Sequence, residues 1–344
     1  MNKKIYFIRS SSTHFGGAEN YLNRLSNAMK MQKIEHQIIH SRIPKFLPSW
    51  LRVLMFNLQL GLTKKNKFYF SLERISCPDI YRAGDGVHRK FLTIEKKSKL
   101  NLLHPVYLYL ESRCFKNAKY IIANSSMVKS QIIDNYNINP NKINVIYNGI
   151  ELKQINFSKS FTKLSKEFPI EHSESFLLFV GSGFKRKGVS EFLQIFSQLE
   201  SKNIKAFIIG KDNNSEYYKN LAKKLNIENQ IIFTGPREDV DDFYTISDIF
   251  LFPTHYDPFS NVVLEAMNFE NVVFTSQSNG ASEILDENFI INDSNYSFII
   301  SSIDNLLSNK TALNAEKIRN KKKSELFSIE KNLEMTLELM SQIE

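Results

Sequence analysis

The chain has 344 residues, 42% of them hydrophobic and 24% charged, with a formal net charge of +9. This length suits two domains of ordinary size. It excludes a small disulfide-stapled scaffold, as do the two widely spaced cysteines, Cys77 and Cys114, which are expected to be free thiols in a reducing cytosol. No run of 18 apolar residues offers a spanning helix, and MNKKIYFIRSSS reads as a first strand rather than a signal peptide. Residues 1–165 hold 27 basic against 9 acidic residues, net +18, and residues 166–344 hold 18 against 27, net −9. The asymmetry points to an anionic partner for the first half. A lipid surface fits better than nucleic acid, because no stacking platform or recognition helix stands out.

In chain order, Ile5 to Ile8 forms the first strand. A polar run, Ser10 to His14, leads to Phe15, Gly16 and Gly17, and then to a helix with Tyr21, Leu22, Leu25 and Met29 on one face. His36 to Ile39 is a strand. Residues 45–67 carry an apolar run, Trp50 to Leu60, that ends in Lys64, Lys65 and Lys67. Two readings stay open for it: a helix lying at a membrane interface, or a buried core helix with a solvated basic end. Phe68 to Ser71 and Ile80 to Ala83 are strands, the second leading into Gly84, Asp85, Gly86, Val87 and His88. Residues 89–116 again interleave basic with apolar side chains. Tyr120 to Ala123 is a strand followed by Ser125, placed to cap the helix that begins MVKSQI. Lys142 to Tyr147 is another strand, ending in Asn148 and Gly149. Strand signals then lapse over 151–172, the expected linker.

The second half repeats the rhythm of strand, glycine turn and helix. Phe176 to Val180 is a buried strand followed by Gly181, Ser182, Gly183, Phe184, Lys185, Arg186, Lys187 and Gly188. Glycine lets backbone approach a ligand closely, and cations at a helix start neutralise phosphate. This turn is neither a Walker loop nor GxGxxG. Lys205 to Ile209 is a strand ending in Gly210 and Lys211, and Glu216 to Leu225 is helical. Ile231 to Thr234 precedes Gly235, Pro236, Arg237 and Asp239, which is placed to cap DVDDFYTIS. The acids Asp239, Asp241 and Asp242 open that helix and lack the Asp-x-Asp placement of a sugar-nucleotide metal site, so no metal is expected. DIFLFP then runs into a polar loop and a helix from Ser260. Asp257 and Glu265, eight positions apart, flank that helix start, where the backbone N–H groups of Ser260, Asn261 and Val262 suit phosphate. The competing reading of the same two acids is helix N-capping and a solvated helix face. Strands alternating with helices give an α/β chain with parallel sheets, and their ligands lie beyond the strand C-termini.

Asp257 and Glu265 resemble the paired-acid motif of glycosyltransferase family 4, usually Glu, seven residues, Glu, with the first acid one methylene shorter here. Arg186 and Lys187 match that family's Arg and Lys on the donor diphosphate, and Gly16 and Gly17 match its first Gly-Gly loop. YRAGDGVH resembles the stretch of lipopolysaccharide core glucosyltransferases in which an Asp lies near the donor sugar. Asp85 is its match and His88 the competitor.

The resemblance implies the GT-B fold, two Rossmann-like domains facing across a cleft. The expected domains are 1–165 for the acceptor and 166–324 for the nucleotide sugar, with a C-terminal helix within 325–344 returning to the first. It implies retaining transfer of a hexose, glucose or galactose, from a UDP-linked donor to the inner core of lipopolysaccharide or lipooligosaccharide. Asp257 would hold hexose hydroxyls and Glu265 the ribose. Arg186 and Lys187 would stabilise the departing diphosphate, with Gly181, Ser182, Lys211 and Arg237 lining the nucleotide. No cofactor beyond the donor substrate is expected, and no nucleic acid. The expected place is cytoplasmic, peripheral at the inner face of the bacterial inner membrane. Two alternatives stand beside this: a sugar-nucleotide hydrolase or epimerase of the same architecture, and a non-catalytic membrane-associated binding subunit, for which the short Asp257 speaks.

Overall fold

The computed structural model describes residues 4–11, 17–95 and 101–343. The chain divides into two compact units, residues 1–149 with 329–344, and residues 150–328.

Unit 1 carries a sheet in the order β2-β1-β3-β4-β5-β6, every pair parallel. The strands are β1 (Ile5–Ile8), β2 (His36–Ile39), β3 (Phe68–Ser71), β4 (Ile80–Ala83), β5 (Tyr120–Ala123) and β6 (Ile143–Val145). The helices are α1 (Gly17–Met31), α2 (Ser49–Thr63), α3 (His88–Glu95), α4 (Leu103–Asn117) and α5 (Ser126–Tyr136). Short apolar runs form these strands because both sheet faces are covered: β3 and β4 are buried at every position. Ser125 caps α5, its hydroxyl accepting from the Val128 N–H at 3.1 Å.

Unit 2 carries a second parallel sheet in the order β12-β11-β10-β7-β8-β9. Its strands are β7 (Ser175–Val180), β8 (Ile204–Ile209), β9 (Ile231–Gly235), β10 (Ile249–Phe252), β11 (Val272–Ser276) and β12 (Ile290–Ile291). Its helices are α6 (Phe157–Leu164), α7 (Phe184–Lys187), α8 (Val189–Ser197), α9 (Ser215–Lys224), α10 (Val240–Ile246), α11 (Asn261–Asn268), α12 (Tyr296–Ser308) and α13 (Lys310–Ser324). Counted from β7, this is the doubly wound order 3-2-1-4-5-6, whose direction reverses between β7 and β10.

The unit boundary falls at 149/150, not at 165/166. The stretch expected to be a linker contains α6, which buries Phe161 and Leu164, and its Ser160 hydroxyl donates to Asp242 at 2.6 Å. The chain enters and leaves unit 2 side by side, Ile150 pairing with Ser328.

The last helix, α14 (Ile329–Ser341), belongs to unit 1. It buries Ile329, Leu333, Leu339 and Met340 against Tyr21, Leu22, Leu25 and Met29 of α1. The spacing is that of an amphipathic helix. Asn332 ties the seam, accepting from the Tyr21 hydroxyl at 3.0 Å and donating to the Tyr147 carbonyl at 2.6 Å. Leu333 is fully buried. Leu333→Ala is expected to lower stability by about 2–5 kcal/mol in urea unfolding. A loss below about 1 kcal/mol would show that α14 is no part of this core.

Candidate functional site

In unit 2 the two loops at the reversal point meet. Gly188, in left-handed conformation at φ +81°, lies so close to the other loop that a Cβ would stand 1.9 Å from the Pro253 carbonyl oxygen. Gly210, at φ +146°, would bring a Cβ within 2.1 Å of the Gly181 carbonyl. Only glycine fits at either position. The Arg186 carbonyl accepts from the Thr254 hydroxyl at 3.0 Å and the His255 N–H at 2.9 Å, and the Arg186 guanidinium donates to the Tyr256 carbonyl at 2.9 Å.

These contacts place three charged side chains together. Lys187 makes an ion pair with Asp257, and the Arg186 Nη1 stands 3.8 Å from the same Oδ2. Asp257 is only 8% exposed, and its other oxygen accepts from the Phe259 N–H at 3.2 Å. Burial pushes its carboxyl up, but Lys187 first and Arg186 after it outweigh burial, so the group stays below the usual carboxylate range. Burial likewise pulls the Lys187 ammonium down, with Asp257 opposing. Asp257 is therefore held as an anion against two cations rather than standing open.

Asn279, which the sequence reading missed, braces this loop. Its Oδ1 accepts from the N–H groups of Ser260 at 3.2 Å and Ala281 at 3.1 Å, and its Nδ2 donates to the Thr275 hydroxyl at 3.0 Å. The Ser260 N–H is thus occupied and does not stand free for phosphate as expected. Asn261, Val262 and Glu265 lie half-buried on α11. Ser182 accepts from the Lys211 N–H at 3.0 Å, joining the turns after β7 and β8. Asp239 sits at the cap position of α10 but makes no side-chain cap. Its carboxylate is taken by Arg237 at 2.8 Å and Lys163 at 2.6 Å. Arg237 also pairs with Glu167 at 2.6 Å and packs over Phe168 and Phe243, so its guanidinium serves the seam between α6 and α10. Asp241 pairs with Lys153 and Asp242 with Lys163.

In unit 1 the charged groups gather beyond β1, β3 and β4. Arg9 pairs with Glu19 at 2.9 Å, and with Glu73 and Asp85 at 3.4 Å each. The Asp85 side chain remains 44% exposed. Gly17 opens α1, and Gly16 lies outside the described residues. His88 is buried at the start of α3, its Nε2 3.2 Å from the His104 Nδ1. Glu111, fully buried on α4, organises this turn. It pairs with Arg74 at 2.8 Å and accepts from the His88 N–H at 2.7 Å, the Arg89 N–H at 3.3 Å and the Tyr136 hydroxyl at 2.5 Å. Arg74 also donates to the Gly86 carbonyl at 3.2 Å. Arg9, Arg74 and Glu111 went unread in the sequence because no local spacing announces a partner tens of residues away.

Burial, and then the Arg74 charge, lower His88 to about 4. Its ring is neutral near pH 7. Between about 4 and 6.5 the unfolded chain binds a proton that the folded chain refuses, so acid costs stability, reaching roughly 3 kcal/mol at pH 4. His88→Gln is expected to remove that share of the pH dependence in urea unfolding between pH 6.5 and 4. An unchanged slope would show that the ring titrates normally.

Residues 160–324 match the family model of glycosyl transferases group 1, and residues 85–154 match that of glycosyltransferase family 4. An uncharacterized glycosyltransferase, MJ1607 of Methanocaldococcus jannaschii, is 27% identical over 171 residues, covering 48% of this chain and 44% of that protein. The lipopolysaccharide glucosyltransferase WaaG of Escherichia coli K12 is 26% identical over 202 residues, 55% of this chain and 53% of that protein. The chain thus spans about half the length of the curated relatives it matches. A crystal structure of WaaG superposes with TM-score 0.80 at 18% identity, covering 97% of this chain and 99% of that one. Anabaena HepE, solved in complex with UDP and glucose, gives TM-score 0.77 at 17% identity over 99% of this chain and 100% of that one. Two parallel six-stranded sheets flanked by helices are the α/β architecture of these GT-B proteins.

Proposed function

We propose, for a chain that belongs to the glycosyltransferases over residues 85–154 and 160–324, that it transfers a hexose from a nucleotide sugar to a hydroxyl of a lipid-linked anionic saccharide. The observation that carries this reading is the meeting of Arg186, Lys187 and Asp257 where the strand order of unit 2 reverses, the usual place for a nucleotide in such a sheet. Two cations there suit a diphosphate, and no ion need be added for the charge it gains on leaving.

In this reading the bond from the sugar C1 to the β-phosphate oxygen breaks, and a bond from the acceptor hydroxyl oxygen to C1 forms on the same face. The acceptor proton passes to the departing phosphate oxygen. Arg186 and Lys187 stabilise that oxygen's charge. Asp257 keeps Lys187 aimed and has lone pairs left for sugar hydroxyls, and Glu265 takes the ribose. In unit 1, Asp85 is better placed than His88 to meet a sugar, being half exposed and fixed by Arg9, whereas His88 is buried.

Likeness to a lipopolysaccharide glucosyltransferase and to a protein solved with UDP and glucose supports UDP-glucose as donor, UDP-galactose being its nearest rival, and a lipopolysaccharide inner core as acceptor. Such an acceptor would place the protein at the inner face of the bacterial inner membrane.

The test is transfer of labelled sugar from a panel of nucleotide sugars to core-truncated lipopolysaccharides. Arg186→Ala and Glu265→Ala should each lower turnover about 100-fold or more while the fold stays intact. Near-normal turnover in both would overturn the assignment. Label released as free sugar would favour a hydrolase, and nucleotide binding without turnover would favour a binding subunit.

A further inference from the structure

Strand β4 is buried at every position, yet its third residue is a cation, Arg82, only 3% exposed. Two other arginines of unit 1 with little exposure face carboxylates: Arg74 meets Glu111, and Arg9 meets Glu19, Glu73 and Asp85. Among the described residues, no carboxylate stands within ion-pairing distance of Arg82. Its Cζ lies 3.5 Å from the centroid of the Tyr21 ring, its Nη2 donates to the Asn148 side-chain oxygen, and its Nε has no partner. Burying a cation without a counter-charge is costly, and the ring face offsets part of that cost. Charge pairing therefore does not explain this residue, but its position does.

A Cβ on Gly84 would stand 2.0 Å from the Arg82 Nη1 and 3.2 Å from its Cζ. The guanidinium thus fills the room that a side chain at position 84 would need. Gly86, at φ +71°, answers to a left-handed backbone, whereas Gly84 lies outside that region and answers to space alone. Asp85 sits between the two glycines, and the turn is pinned on both sides. The Gly86 N–H donates to the Ala83 carbonyl at 3.2 Å, Arg74 donates to the Gly86 carbonyl at 3.2 Å, and Asn124 donates to the Gly84 carbonyl at 3.0 Å. Beneath the guanidinium, the Tyr21 hydroxyl is fixed by Asn332 of α14. A continuous stack therefore runs from α14 through Tyr21 and Arg82 to Gly84.

We propose that Arg82 is a positioning residue for Asp85. Its guanidinium, seated on Tyr21 and held by Asn148, is the platform on which Gly84 rests, and it so sets the turn that presents Asp85. Arg82 touches no substrate in this account and works by shape. A planar group of this breadth fits the space under Gly84, and the slender ammonium of a lysine does not. The proposal rests on the reading of Asp85 as a sugar-facing side chain, for which a misplacement of about 1 Å can cost about 100-fold in rate.

The test measures transfer kinetics and amide hydrogen exchange of the full chain in Arg82→Ala, Arg82→Lys, Gly84→Ala and the double variant Arg82→Ala with Gly84→Ala. Each single variant should lower kcat about tenfold or more, with a smaller change in KM for the donor, and should speed exchange over residues 83–88 while exchange in unit 2 stays as in the wild type. The double variant should lose no more kcat than Arg82→Ala alone, because the new methyl group enters the room that the guanidinium vacates. Losses that multiply in the double variant, a lysine that restores both rate and exchange, or exchange over 83–88 unchanged in Gly84→Ala would each overturn the platform. Asp85→Asn separates the two readings. With Asp85 removed, Arg82→Ala should cost no further kcat. Wild-type turnover in Asp85→Asn would instead overturn the sugar-facing reading of Asp85, and the exchange data would still judge the platform.

Discussion

The ion pair of Lys187 with Asp257 is the interaction on which the rest of unit 2's chemistry depends. Neither partner is stable alone where it stands. An ionised carboxylate this deeply buried needs a counter-charge, and losing one partner of such a pair costs about 3–5 kcal/mol. The pair exists because a parallel sheet that reverses its winding between β7 and β10 brings two loops, seventy residues apart in the chain, edge to edge. Gly188 allows that approach, Gly210 lets the turn after β8 close on Gly181, and Asn279 braces the second loop at Ser260. Sheet order, backbone freedom and one buried charge pair are thus three views of a single constraint. Its product is two cations, Arg186 and Lys187, gathered at one buried carboxylate.

Unit 1 solves a comparable problem with the signs exchanged. There a buried glutamate, Glu111, holds a turn in place through two backbone N–H groups, a tyrosine hydroxyl and the buried Arg74. The turn carries Asp85, and Arg9 steadies Asp85 from β1. Each half therefore sets a charged side chain, Lys187 or Asp85, against a group of opposite charge that fixes its orientation. His88, drawn into the same network, pays with its basicity and becomes a neutral ring.

Much of this was legible in the sequence. FLLFV and DIFLFP read as buried strands, and the turns after them carried Arg186, Lys187 and Asp257. Ser125 capped its helix as its position suggested. What stayed hidden involved partners far apart in the chain. Asp239 looked like a cap, but Arg237 two residues before it and Lys163 from α6 compete for its carboxylate and win. The Ser260 N–H looked free, but a side chain nineteen residues on reaches it. The stretch 151–172 looked like a linker because strands cease there, yet α6 packs into unit 2 by burying Phe161 and Leu164. For α2, composition allowed both a core and an interfacial helix. The structure bears out the core reading for one face, where Phe56 and Leu60 are buried.

The most direct measurement on the Lys187–Asp257 junction is a crystal structure of the protein with a nucleoside diphosphate bound. The β-phosphate is expected within hydrogen-bonding distance of the Arg186 guanidinium and the Lys187 ammonium, with Asp257 still paired to Lys187. A diphosphate seated elsewhere, with Arg186 and Lys187 making no contact to it, would contradict the assignment of this junction as the donor site.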